Sequence, residues 1–162
     1  GVQTCALPIL NNHNQLKAIP LLMMLEIPSN VFQMAAYAPL VDGFSIGSND
    51  LTQFLLAVDR DGTFAHANDN LTEQNECVKH VLQSVVQTAK SYGKYIGICG
   101  QAPSLYPDIA RMLFDAGIDS ISIDYNTVLD FYQTTSNEIP MVVALNALVI
   151  AKGCCQTNPK DT

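Results

Sequence analysis

Three short strings carry the side chains best suited to chemistry in this chain: Glu26, the run Gly47-Ser48-Asn49-Asp50, and Cys99. Glu26 and Asp50 offer carboxylate oxygens, the donors that hard divalent cations take. Gly47 has no Cβ, so a ligand can approach the backbone closely there. Ser48 and Asn49 can hydrogen-bond a substrate or cap the helix that follows. Cys99 carries a thiol that can hold and pass on a proton. Each string also has a plainer reading. Glu26 is a solvated carboxylate of the kind favoured at a helix start, and residues 44–53 form an ordinary strand-to-helix turn. A lone cysteine in an apolar strand is usually a small core residue.

These residues gain weight from where the chain must put them. Residues 20–25 (PLLMML) are a continuous apolar run, as expected of a parallel strand buried on both faces, and Glu26 sits at its C-terminal end. Pro28 suits the first turn of a helix running to about Tyr37, with Pro39 as its stop. Residues 41–46 are the next strand. Residues 51–58 read as helix, with Leu51, Phe54, Leu55 and Val58 at i, i+3, i+4 and i+7. Residues 59–70 are polar and read as a loop in which Asp59, Arg60 and Asp61 either contact substrate or form a solvated charge cluster. Residues 72–92 give the clearest helix, on which Val78, Val81, Leu82, Val85, Val86 and Ala89 make one apolar stripe and Gly93 supplies the stop. Cys77 and His80, on or beside it, are assigned to packing or surface. Residues 95–99 (YIGIC) are the third strand and run into Gly100-Gln101-Ala102-Pro103-Ser104. Residues 107–116 form a helix with Ile109, Met112, Leu113 and Ala116 inward and Gly117 as its end. Residues 119–123 are a fourth strand, residues 126–132 another helix, and the apolar residues 141–150 read as a further helix.

Four βα units with short αβ links predict parallel strands joined by helical crossovers. The fold class is therefore α/β, with four units making half of a (β/α)8 TIM barrel, since a closed barrel takes about 250 residues. Residues 10–133 make up this partial barrel, and residues 134–162 are a tail without an assigned role. Residues 1–9 (GVQTCALPI) look like a translated sequencing adapter and are set apart from the fold, so the gene is expected to begin mid-protein. Residues 10–19 read as a surface connection. A formal net charge of −7 argues against broad nucleic-acid affinity. Residues 141–151 are too short to span a bilayer, and no basic region precedes a suitable apolar run. The five cysteines (Cys5, Cys77, Cys99, Cys154, Cys155) are odd in number and irregularly spaced, which fits reduced cytoplasmic thiols better than a disulfide framework. Cys154-Cys155 can bind a soft metal, though adjacent thiols without other ligands are more often incidental.

Taken together, EIPSN at 26–30, DGFSIGSNDLTQ at 42–53, AVDRD at 57–61 and GICGQAPS at 97–104 resemble the phosphoenolpyruvate-utilising enzymes. The closest resemblance is to the branch that converts ATP, pyruvate and water to AMP, phosphoenolpyruvate and phosphate, and it covers roughly residues 20–130. It implies a gluconeogenic transferase of the cytoplasm, with the second half of its (β/α)8 pyruvate-binding TIM barrel, truncated, present here. It also implies Mg²⁺ held by Glu26 and Asp50, and a substrate site formed by Glu26, Gly47, Ser48, Asn49 and Asp50. Cys99 would be the proton donor and acceptor at the pyruvate methyl carbon, acting on a magnesium-stabilised enolate. The implied partners are pyruvate or phosphoenolpyruvate, the phosphohistidine and ATP-binding domains of the same protein, and a second copy in a full-length homodimer. Nucleic acid and membrane are not among them. His13, His66 and His80 lack the family's phosphohistidine context, and Arg60 and Arg111 do not match its substrate-binding arginines. Two siblings stay open: enzyme I of the sugar phosphotransferase system and pyruvate, phosphate dikinase. The Gly-Gln-Ala-Pro-Ser string favours the first branch over enzyme I, which usually has a Gly-Glu-Met-Ala-type loop there. A catalytically inactive binding fragment is the alternative of another class.

Overall fold

Strands β1 (Leu22–Leu25), β2 (Gly43–Gly47), β3 (Tyr95–Cys99) and β4 (Ser120–Ile123) lie side by side in sequence order, each pair parallel. The structure, a computed structural model, describes residues 20–58, 71–135, 142–144 and 147–151. Parallel neighbours require a crossover, and here the crossovers are helical. Helices α1 (Pro28–Phe32) and α2 (Met34–Tyr37) follow β1, and α3 (Ser48–Leu56) and α4 (Glu76–Ser91) follow β2. Helices α5 (Ala102–Leu105) and α6 (Pro107–Ala116) follow β3, and α7 (Val128–Thr135) follows β4. The expected α/β class and the four parallel βα units are present. No helix of the described residues is long and apolar enough to cross a membrane.

Alternation along the strands divides the sheet into two unlike faces. Leu25, Phe44, Ile46, Ile96, Ile98, Ile121 and Ile123 are buried in a single core with the helices. The expected stripe of α4 supplies Val78, Leu82, Val85, Val86 and Ala89 to that core, and α6 supplies Ile109, Ala110 and Leu113. Helix α4 packs on β2, β3 and α6. The opposite face carries Leu22, Met24, Gly43, Ser45, Gly47, Tyr95, Gly97, Cys99, Ser120 and Ser122. It is built largely of small and polar residues, and two of its hydroxyls, those of Tyr95 and Ser120, hydrogen-bond each other.

Several sequence expectations are corrected. Strand β1 is not buried on both faces: among the described residues it lies at the sheet edge with β2 as its one neighbour, and Leu21 and Leu22 are 37% and 42% exposed. The helix expected over 28–37 breaks at Gln33, where φ is −107° and ψ is 16°. The α-helical stretch ends at Tyr37, as expected, and Pro39 follows in a 3-10 turn (Ala38–Leu40). Phe54, placed on the apolar stripe of α3, is 55% exposed. Helix α4 begins at Glu76 rather than at residue 72, because the side chain of Asn75 caps it by accepting the Cys77 N–H at 2.8 Å.

The helix expected over residues 141–150 is also replaced. The described residues there form β5 (Val142–Ala144) and β6 (Ala147–Ala151), with β6 antiparallel to β4. A short apolar run does not declare its period. Its β-branched residues Val142, Val143, Val149 and Ile150 favour strand, and the edge of β4 provides a partner. Asp59, Arg60, Asp61, His13, His66, Cys5, Cys154 and Cys155 lie outside the described residues, as do the expected scar at 1–9, the connection at 10–19 and the loop at 59–70. Cys77 and His80 are exposed, in keeping with the surface reading.

The core makes a direct test of this packing. Phe44 is 0% exposed at the centre of the helical face. Phe44→Ala is expected to lower stability by about 3–5 kcal/mol. Urea denaturation of the chain measures this as a lower midpoint at unchanged slope.

Candidate active site

Parallel register decides what meets at the C-terminal ends of the strands. Leu25 pairs with Ile46, Ile46 with Ile98, and Gly47 with Cys99. Glu26, which follows β1, therefore stands level with the ends of β2 and β3. A cavity of about 180 Å³ opens at that level, lined by Met24, Glu26, Gly47, Asn49, Asp50, Cys99 and Gly100. It is smaller than the roughly 300–1,000 Å³ typical of drug-sized ligands, so it suits a small one. A larger groove of about 390 Å³ lies on the helical side, among α1, α2 and α4, and is lined mainly by apolar residues such as Val31, Phe32 and Val85. The smaller cavity holds the carboxylates and the thiol, and it is the candidate site.

Gly47 is required by packing. A Cβ there would stand 2.9 Å from Glu26 Cβ and 3.3 Å from its Oε2. The bare backbone at the end of β2 is what leaves room for the Glu26 side chain. Ser48 begins α3, and the N-cap position belongs to Gly47, with no side-chain cap bond. The expected capping role of Ser48 and Asn49 is thus not used.

Asn49 is instead part of a clasp. Its Oδ1 accepts the Gln101 N–H at 3.1 Å and the Ser48 hydroxyl at 3.4 Å. A backbone N–H can only donate, so the atom facing Gln101 must be the amide oxygen, and the NH₂ remains as a donor. Gly100 has a φ of 135°, and a Cβ on it would run into Ser48 Oγ. Ser48 itself is fully buried behind the clasp and does not line the cavity.

Cys99 is half-buried. Its Sγ accepts the Ser45 hydroxyl at 3.4 Å and donates to the Ile46 carbonyl at 3.5 Å. Asp50 is exposed in the first turn of α3, where a negative charge is also favoured by the helix dipole. The cavity thus brings together Glu26, Gly47, Asn49, Asp50 and Cys99, and leaves Ser48 beside it.

Sequence reasoning overlooked Met24 and Ser45. The signal was present in the period of two, since Ser45 lies two residues before Gly47 and so shares its face. Among the described residues no group of three or more His, Cys, Asp and Glu gathers as a metal cage. The cavity offers two carboxylates, Glu26 and Asp50, and that donor set suits Mg²⁺, which commonly uses one or two carboxylates together with substrate and water oxygens.

Comparison with known proteins gives the family. Residues 5–138 match the family described as PEP-utilising enzyme, PEP-binding domain. The chain is 51% identical over 108 residues to a phosphoenolpyruvate synthase of Aquifex aeolicus, a match covering 66% of this chain and 12% of that protein. It is 46% identical over 125 residues to the phosphoenolpyruvate synthase of Deinococcus radiodurans, covering 77% and 15% respectively. For that of Escherichia coli the identity is 44% over 111 residues, covering 68% and 14%. The matched stretch thus spans only 12–15% of the length of these relatives.

Gly47→Ala tests the geometry of the cavity. The new methyl would press on Glu26 Cβ, which is held by the backbone and cannot swing away. The expected cost is about 1–3 kcal/mol in urea denaturation. A crystal structure of the variant is expected to show the Glu26 carboxylate displaced.

Proposed function

The chain belongs to the PEP-utilising enzymes, and from that membership we propose that it forms the substrate-binding end of a phosphoenolpyruvate synthase. The full protein would be a cytoplasmic phosphotransferase that makes phosphoenolpyruvate and AMP from ATP, pyruvate and water. The observation that carries the reading is the small cavity lined together by Glu26, Gly47, Asn49, Asp50 and Cys99. The sheet is read as four of the eight strands of a (β/α)8 barrel. Its sequential parallel order, with helical crossovers, supports this. Phosphohistidine and nucleotide sites would lie elsewhere in the full protein.

Glu26 and Asp50 would hold Mg²⁺. When bound, the ion supplies Lewis-acid stabilisation of negative charge on the substrate oxygen. Gly47 leaves room for the substrate, and the NH₂ of Asn49, oriented by the clasp, donates to an oxygen of the bound acid. Cys99, which lines the same cavity, would exchange a proton with the methyl carbon. As thiolate it takes a methyl proton: the C–H bond breaks, its electron pair moves toward the carbonyl oxygen, and an S–H bond forms. The oxygen is then ready to accept a phosphoryl group. In the reverse direction the thiol returns the proton to carbon.

Two measurements test the proposal. In the intact enzyme, Cys99→Ala is expected to slow methyl-proton exchange of pyruvate by about 10²–10⁴-fold while Mg²⁺ and oxalate still bind. Exchange at the parental rate would refute the role of Cys99. Separately, Mg²⁺ plus oxalate, a planar mimic of the enolate, should raise the melting temperature. At about 100 times the dissociation constant the gain is roughly 2.7 kcal/mol. Glu26→Gln should abolish that rise, and an undiminished rise would remove Glu26 from the metal site.

A further inference from the structure

We infer that Ser45 is a positioning residue that holds the Cys99 sulfur by a hydrogen bond while its proton is transferred. This rests on the reading of Cys99 as the proton carrier. Ser45 lies on the same sheet face as Cys99, one alternation below Gly47, and its strand partner across the ladder is Gly97. Gly97 itself adds no side chain beside Ser45, and the Tyr95 and Ser120 hydroxyls lie over its Cα. Ser45 is half-buried, and its hydroxyl proton is directed at Cys99 Sγ, 3.4 Å away.

The two contacts of the sulfur respond oppositely to loss of its proton. The Ile46 carbonyl, 3.5 Å from Sγ, accepts the S–H of the neutral thiol. Once the thiol is ionised that contact sets a carbonyl dipole against a negative sulfur, and it turns repulsive. The Ser45 hydroxyl donates in both states, and more strongly to the anion, because a hydrogen bond to an ionised partner is roughly twice as strong as a neutral one. The working base therefore depends on Ser45, while the resting acid is held by the backbone. Ser45 does not line the cavity, so its loss should leave substrate affinity alone.

The test is steady-state pyruvate methyl-proton exchange in the intact enzyme, with Cys99→Ala run alongside. Ser45→Ala is expected to lower kcat about 10- to 100-fold with KM for pyruvate unchanged. Ser45→Thr and Ser45→Val form a pair of nearly equal shape that differ in the hydroxyl. Thr should restore the rate to within a few-fold of the parent, and Val should behave as Ala. Equal activity of the Thr and Val variants overturns the inference, since shape and not the hydroxyl would then matter. A parental rate in Ser45→Ala beside an inactive Cys99→Ala overturns it while sparing the role of Cys99. A parental rate in Cys99→Ala removes both.

Discussion

The hydrogen-bond ladder that ties β1 to β2 and β2 to β3 is the constraint on which the rest depends. Its register places Gly47 opposite Cys99 and brings Glu26 to the same height. Backbone bonds alone do not choose a register. The choice is made by Leu25, Phe44, Ile46, Ile96 and Ile98, which are all buried in the helical core. A slip of one residue in any strand would turn these side chains to the other face and bring small polar groups into the core. The core therefore specifies the alignment of the cavity without lining it.

The two faces of the sheet divide the work accordingly. The helical face is filled by Leu, Ile and Phe side chains at near-zero exposure. The other face is kept thin by Gly43, Gly47 and Gly97, and a Cβ on Gly97 would stand 2.5 Å from Ser120 Oγ. Thinness makes room for polar pairs close to the backbone, Ser45 with Cys99 and Tyr95 with Ser120. The same economy at Gly47 admits Glu26. The chemistry occupies space that larger residues would otherwise fill.

How much of this was legible depended on the range of the information needed. Strand β3 and helix α6 have the limits that the sequence suggested, since each is bounded by local signals such as Pro107 and Gly117. The start of α3 was misjudged, because Ser48, Asn49 and Asp50 are typical capping residues, yet the clasp to Gln101 draws Asn49 into the helix's first turn instead. The exposure of Leu22 followed from its place at the sheet edge, which hydropathy does not report. At the site, Glu26, Asn49, Asp50 and Cys99 were visible as polar endings of apolar runs. Ser45 was not, because its partner lies 54 residues away and only the register discloses the contact.

The topology also ranks the strand pairings by the length of chain each one closes. The crossovers from β1 to β2 and from β3 to β4 are short, whereas the passage from Gly47 to Tyr95 is the longest between paired parallel strands. Closing a longer loop carries a larger entropy cost, roughly 0.6 kcal/mol for each doubling of its length. The β2–β3 pairing, which brings Cys99 level with Glu26 and Gly47, is therefore the parallel pairing with the largest closure cost, and the site exists only where that cost is met.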